Sequence, residues 1–256
     1  MSLPINQPTS DSRIKVFYKS LTPKKMIAIL LAVVFIGTFI QLTLVRPWYS
    51  TWGATPEELK MPLSCDSLIP DPKWQMTHGI TIDAPPDKVW SYIVQMGQDR
   101  GGFYSYDWLE RLFGFGIVND YTIRPEWQHV GDFVTFHKSG MGMKIVKEQT
   151  IENKAFVMVT DSRTPMNPIP AGKWEFFPVP DGKFVVWNWG FYLFELPGGK
   201  TRLVERWAAD WTYDNPFLNV ALHAAFEMPS AIMEMEMLRQ FKQCAEGNFP
   251  KLWFRF

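Results

Sequence analysis

The sequence predicts an α+β fold in which a seven-stranded antiparallel curved sheet is wrapped on a long C-terminal helix. Two short helices follow the first strand, and one N-terminal transmembrane helix precedes the domain. Three observations support this prediction: an uncharged run over residues 26–45, period-two alternation of apolar residues between 132 and 212, and a helical apolar stripe over 230–246.

The composition fits one neutral domain with an appendage. The chain has 256 residues, 46% of them apolar, and a formal net charge of zero, so no nucleic-acid partner is expected. Cys65 and Cys244 are too few for a disulfide framework, and the sequence leaves open whether they form one bridge or two free thiols. Because the chain has no CxxC motif and no Cys/His cluster, we expect neither a metal site nor a cofactor.

Residues 26–45 form an uncharged run that, as a helix, spans about 30 Å, the thickness of a bilayer's hydrocarbon core. A cleaved signal peptide has a shorter apolar region, and a soluble core helix has an amphipathic stripe that this run lacks. The preceding residues 1–25 form a basic tail with one acid and these cations: Arg13, Lys15, Lys19, Lys24 and Lys25. The positive-inside rule therefore predicts a single-pass protein of the cell membrane, with a cytoplasmic N-terminus and an extracytoplasmic C-terminal domain.

Residues 46–73 contain five prolines and little periodicity, which predicts an extended linker stiffened by proline. The ligand-binding domain is predicted over residues 74–248, and a short tail over 249–256. The first strand covers residues 74–82. Pro85 and Pro86 then start a helix that ends before Gly97, and residues 106–113 form the second short helix.

After Gly131 the pattern changes to that of strands. Six are predicted, over residues 132–137, 143–151, 155–160, 173–177, 184–196 and 201–212. Asp181–Gly182 and Gly198–Gly199 mark tight turns, so the strands are antiparallel. An amphipathic helix over 230–246 buries its apolar stripe against the concave face of the sheet, and the two short helices leave a cavity at one end.

Four segments carry a resemblance to a known family: ITIDAPPDKVW at 80–90, QMGQDRGGFYSYDWLERLFG at 95–114, PEW at 125–127 with GD at 131–132, and PSAIMEMEMLRQFKQCAE at 229–246. Over about residues 48–248 the chain resembles the SRPBCC superfamily, which is START-like and related to birch-pollen allergen, polyketide cyclases and lipid-transfer domains. It looks like a bacterial, membrane-anchored branch. The resemblance implies a helix-grip fold with a hydrophobic ligand cavity, but no single reaction, because the fold hosts carriers, cyclases, hydrolases and receptors.

A polar cluster in the second segment is the predicted mouth of the cavity: Arg100, Tyr104, Tyr106 and Asp107. Arg100 would bind an anionic or carbonyl group, the tyrosine hydroxyls would donate hydrogen bonds, and Asp107 would act as an acceptor or base. The structural alternative is that Arg100 pairs with Asp107 or Asp99 and that the adjacent glycines only form a turn.

Tryptophans supply the predicted apolar lining: Trp90, Trp187 and Trp189. The strand over 184–196 is apolar on both parities, so either its outer face is covered by linker, partner or membrane, or both faces line apolar space. The parity that faces the cavity stays open, and ordinary core packing is the alternative for these rings.

The sequence contains no strong catalytic constellation, and the candidates for a general base are Asp107 and His78. We therefore expect a membrane-anchored protein that binds a hydrophobic molecule, lipid-like or aromatic, and that contacts the membrane through residues 26–45. Two alternatives remain. A cyclase or dehydratase would need His78 or Asp107 in the cavity, and a structural module with a filled core would have no void of roughly 300 Å³ or more.

Overall fold

The computed structural model describes residues 22–112, 114–175, 179, 181–212, 215 and 226–249. Most of the predicted basic tail, residues 176–177 of the predicted fifth strand, and all but one residue of the predicted C-terminal tail lie outside this part of the chain. The chain divides into two compact units, Met1–Pro47 and Trp48–Phe256.

An apolar helix makes up the described part of the first unit. Helix α1 (Pro23–Ile40) begins after Thr22, whose hydroxyl accepts a hydrogen bond from the Lys25 amide. A π-helical stretch (Gln41–Val45) and helix α2 (Arg46–Ser50) continue it. The continuous helix is long and apolar enough to cross a membrane, and no side chain of α1 is buried.

The second unit has the predicted order of helices and strands. Helix α3 (Pro56–Lys60) and a 3₁₀ turn (Ser64–Leu68) precede strand β1 (Trp74–Ile82), which is followed by helices α4 (Pro86–Val94) and α5 (Asp107–Leu112). Six strands follow: β2 (Phe133–Thr135), β3 (Met141–Ile145), β4 (Ala155–Asp161), β5 (Trp174–Glu175), β6 (Val185–Leu196) and β7 (Lys200–Trp211). Helix α6 (Met228–Ala245) closes the domain.

The strands form one curved, open seven-stranded sheet in the order β1-β7-β6-β4-β3-β2. Neighbours in this order are antiparallel, whereas the two-residue β5 pairs with β3 in parallel. Gly198 and Gly199, with φ of +82° and +69°, form the tight turn of the long β6–β7 hairpin. Strand β3 ends earlier than predicted because Lys147–Gln149 forms a 3₁₀ turn.

The predicted linker is not an extended connector, because residues 48–73 belong to the second compact unit and cover the outer face of the sheet. Three of its side chains are buried against strands β4, β6 and β7: Leu63, Cys65 and Ile69. Arg206 on β7 donates hydrogen bonds to the carbonyls of Glu58 and Met61 and to the carboxylate of Asp66, at 2.7–2.9 Å. The guanidinium thereby satisfies backbone groups that the irregular segment leaves without ladder partners.

The opposite, inner face of the sheet meets α6, which packs against β1 and α4. The buried side chains of α6 recur at three- and four-residue steps: Ala231, Glu234, Met235, Leu238, Phe241 and Ala245. Cys244 lies on the same helix and is a free thiol, as is Cys65. The two faces of β6 are therefore both apolar for different reasons, one facing the segment 48–73 and the other facing α6.

Candidate functional site

A partly open cavity of about 240 Å³ is lined by side chains from β6, α6, the β2–β3 hairpin and the segments around α5. Six aromatic rings line it: Phe103, Phe115, Phe136, Trp187, Trp189 and Phe226. Phe103 stacks on Trp189 with ring centroids 6.3 Å apart, and Phe136 meets both rings edge-on at 5.1 and 6.1 Å. Because such ring contacts fix side-chain positions, this part of the wall is rigid.

Polar atoms enter this wall at Glu110, on α5, and at Ser105. Glu110 is 1% exposed, and neither of its carboxyl oxygens has a hydrogen-bond partner among the described residues. Burial, followed by the nearby charge of Asp107, raises the pKa of Glu110 to about 8. The Ser105 hydroxyl also lacks a partner in the described part of the chain. At neutral pH the cavity therefore presents an uncharged carboxyl group that can both donate and accept hydrogen bonds.

A second polar group, built from three elements, adjoins the cavity through Glu234 of α6. The sheet register places His78 of β1 directly opposite Glu205 of β7, and Glu234 approaches both from the helix. His78 Nδ1 lies 2.8 Å from Glu205 Oε2 and 3.5 Å from Glu234 Oε2. The side chains of His78 and Glu205 are fully buried. Burial, and then the charge of Glu205, raises the pKa of Glu234 well above its ordinary value.

Each carboxylate of this cluster accepts a hydrogen bond from an indole. Trp189 Nε1 donates to Glu205 Oε1 at 2.5 Å, and Trp207 Nε1 donates to Glu234 Oε2 at 2.7 Å. His78 Nε2 lies 2.7 Å from the backbone carbonyl of Tyr49, to which it must donate because a carbonyl oxygen only accepts. The cluster is thus held rigidly from three sides.

Two of the seven predicted ligand-binding residues, Trp187 and Trp189, line the cavity. They share one parity of β6, whereas Val186, Asn188 and Tyr192 on the other parity face the segment 48–73. The strand parity that the sequence left open is thereby assigned.

The other predicted residues are not part of the cavity wall, and this geometry gives their predicted roles no support. Trp90 packs edge-on against Phe156 at 5.9 Å. Arg100 donates to the carbonyls of Val94 and His129, and burial lowers its pKa. Its guanidinium therefore joins the end of α4 to the segment at His129 instead of presenting a free anion site.

Tyr104, Tyr106 and Asp107 also act within the scaffold. The Tyr104 hydroxyl accepts a hydrogen bond from Gln95, and burial raises its pKa. Asp107 accepts a hydrogen bond from Asn119 at 2.7 Å, and Tyr106 packs on Trp108 with ring centroids 6.2 Å apart. The glycines serve this packing, since a Cβ on Gly101 would lie 2.5 Å from the Tyr104 hydroxyl.

The stretch that the sequence singled out does reach the cavity, but through other residues than those predicted. Phe103 and Ser105 alternate with Tyr104 and Tyr106, and the first pair points into the cavity. The two predicted general bases, His78 and Asp107, do not line the cavity wall, whereas Glu234 does. A usable signal for Glu234 was its place in the stripe between Ala231 and Leu238, where an apolar residue is expected.

No family model and no curated protein matches the chain. A conserved protein from Geobacillus kaustophilus is similar with 9% identity and a TM-score of 0.37, over 68% of this chain and 96% of that one. A hypothetical protein from Helicobacter pylori is similar with 9% identity and a TM-score of 0.36, over 72% and 95%. A conserved protein of unknown function from Enterococcus faecalis is similar with 15% identity and a TM-score of 0.28, over 69% and 74%. Superfamily membership and ligand therefore remain predictions.

Proposed function

We propose that the chain is a membrane-anchored member of the SRPBCC superfamily that binds a small apolar molecule, ring-containing or lipid-like, in the cavity described above. The observation that carries this proposal is the composition of the cavity wall, where aromatic rings surround two buried carboxyls. An apolar lining with a few convergent polar groups is the usual composition of a small-molecule site.

The size of the cavity bears on the alternative of a structural module. A volume of about 240 Å³ lies below the roughly 300 Å³ at which drug-sized sites begin, and by size alone it favours that module. The unpartnered carboxyl of Glu110 and hydroxyl of Ser105 favour a binding site, because leaving buried polar groups unpaired costs about 1–3 kcal/mol each without a ligand. A small ligand with about one ring would fit a cavity of this size and could pair with its unpartnered polar groups.

The charges of the wall limit the end group of this ligand. The described residues that line the cavity include two glutamates and no lysine, arginine or histidine. A hydroxyl, carbonyl or amine can pair with Glu110, whereas a carboxylate or phosphate would bring a negative charge into an apolar wall whose described residues include no cation. The ligand is therefore neutral or cationic at its polar end.

Three probes with the same ring and chain length test this proposal: 2-phenylethanol, 2-phenylethylamine and phenylacetate. Calorimetric titration of the full chain in lipid nanodiscs is expected to show saturable binding of the alcohol and the amine, with phenylacetate about tenfold weaker or more. The variant Met233→Trp fills the cavity and abolishes binding. Its matched control, Gln243→Trp on the exposed side of the same helix, retains it.

The structural module is supported instead if none of the probes binds and mass spectrometry of solvent extracts from the purified chain finds no apolar molecule. Equal binding by Met233→Trp and Gln243→Trp would place the probes outside the cavity.

A second candidate function is an enzyme that transfers a proton in the same cavity. A pKa of about 8 brings Glu110 close to physiological pH, where a general acid or base works best. The test uses whichever molecule is extracted from the purified chain. An enzyme converts it, and Glu110→Gln binds it without conversion; a binding protein returns it unchanged.

The proposed topology has the N-terminus in the cytoplasm and the second unit outside the cell membrane. It rests on the cations that precede the apolar run and on the positive-inside rule.

A further inference from the structure

We infer that the second unit binds one divalent transition-metal ion between His78, Glu205 and Glu234. The cysteine and histidine spacing in the sequence gives no sign of such a site, because the three residues come from β1, β7 and α6. The inference does not depend on the organic ligand of the cavity.

Three side chains that can each bind a cation, His78, Glu205 and Glu234, converge in one buried space. Because Nε2 of His78 donates to the Tyr49 carbonyl, the neutral imidazole presents a lone pair at Nδ1. This lone pair faces Glu205 Oε2 at 2.8 Å, and neither atom forms a well-aligned hydrogen bond in the described part of the chain. Both side chains are fully buried, so water cannot separate them. A positive species must lie between these atoms.

The charges of the three side chains also favour an ion. With both carboxyls ionised and the imidazole neutral, the three side chains would carry a charge of −2, which one divalent ion neutralises. If protons neutralise this charge instead, two are needed: one shared by His78 and Glu205, and one on Glu234. A single ion satisfies all three side chains together, which is the usual condition for burying charges of one sign.

The hydrogen bonds that hold the three side chains from outside are those expected around a metal ion. Histidines that bind metals nearly always donate their other ring N–H to a carbonyl or carboxylate, and the coordinating carboxylates are hydrogen-bonded in turn. His78 donates to the Tyr49 carbonyl, and indole N–H groups hold the two carboxylates. The arrangement that orients metal ligands is therefore already in place.

The distances lie near those around an ion of this size. Two ligands bound at about 2.1 Å in a tetrahedral arrangement lie about 3.4 Å apart. Glu234 Oε2, at 3.5 Å from His78 Nδ1, matches this separation, whereas Glu205 Oε2, at 2.8 Å, would have to move back by about 0.6 Å. One ligand atom from each residue lies within 4.8 Å of the others. Glu234 also lines the cavity, which gives the ion a route to the site. One imidazole with two carboxylates suits Zn²⁺, Mn²⁺ or Fe²⁺.

The test begins with the metal content of the full chain in detergent, purified without chelator and without a polyhistidine tag. Plasma mass spectrometry is expected to find about one equivalent of a first-row divalent metal. After removal of the metal, Zn²⁺ titration should restore one equivalent and raise the melting temperature, whereas Mg²⁺ should do neither.

Variants locate the ion. Glu205→Gln and Glu234→Gln should lose stoichiometric Zn²⁺ binding, and the exposed control Glu195→Gln should keep it. Trp207→Phe removes one outer-shell donor and should weaken Zn²⁺ about 10- to 100-fold while leaving the stoichiometry at one. Circular dichroism checks that each variant folds.

Two results would overturn the inference. One is wild-type protein that holds only trace metal and takes up no Zn²⁺ saturably, in which case protons occupy the cluster. The other is equal Zn²⁺ affinity in wild type and in both glutamine variants, which places the ion elsewhere. Neither result bears on the organic probes, so this site and the proposed ligand binding can fail separately.

Discussion

Replacing Glu110 with glutamine is expected to change how the stability of the domain depends on pH. Glutamine keeps the size and polarity of the side chain but cannot ionise. In the folded protein the pKa of Glu110 is raised from its ordinary value of 4.5 to about 8 by burial and by Asp107. Below pH 4.5 the carboxyl is protonated in both the folded and unfolded chains, so pH has no effect through this group there.

Between pH 4.5 and about 8 the unfolded chain has lost this proton while the folded chain retains it. The free energy of unfolding therefore falls as pH rises, by about 1.4 kcal/mol per pH unit from this one group. Because Glu110 is 1% exposed, solvent screening reduces the effect little. Relative to wild type, Glu110→Gln should gain about 3 kcal/mol between pH 5 and pH 7. Other titrating groups are common to both chains and cancel in this difference.

The assay is urea unfolding of the full chain in detergent, followed by tryptophan fluorescence at pH 5, 6, 7 and 8. Glu195→Gln, on the exposed end of β6, is the control and should follow the wild-type curve. Parallel pH curves for wild type and Glu110→Gln would refute the reasoning, since they would mean that Glu110 ionises normally and is not a neutral group in the cavity.

Three further predictions concern the scaffold and the membrane. Arg206→Ala should lower the free energy of unfolding by about 3–5 kcal/mol in the same urea assay, because the carboxylate of Asp66 and two carbonyls lose their donor. The surface variant Arg163→Ala should lower it by less than about 1 kcal/mol. Equal losses in the two variants would contradict the role of Arg206. Tyr104→Phe should cost about 1–3 kcal/mol, because it removes the hydroxyl that accepts from Gln95 and donates to the Asp120 carbonyl, and it should leave probe affinity unchanged. Reduced affinity measured by calorimetry would return Tyr104 to the binding site. Glu57→Cys should react with a membrane-impermeant maleimide in intact cells, whereas labelling only after lysis would reverse the proposed topology.

The fold was largely readable from local patterns. The apolar run predicted a helix able to span a membrane, and the strands β1, β4, β6 and β7 begin and end within one residue of their predicted bounds. Turn glycines and period-two alternation are short-range signals, so one chain segment is enough to show them. The linker was misread because proline content indicates stiffness but not contact, and its partner Arg206 lies more than 100 residues away in sequence.

The site depended on tertiary structure. The sequence placed Tyr104 and Tyr106 at the mouth of the cavity, and only packing decided that Ser105 faces it instead. His78, Glu205 and Glu234 lie on three segments far apart in sequence, and they meet because the β1–β7 register and the position of α6 bring them within 4.8 Å. By itself, the sequence determined which segments are helix, strand or apolar run, since those properties follow from neighbours along the chain. The tertiary structure decided which polar groups share a buried space, because burial and proximity arise only when distant segments pack.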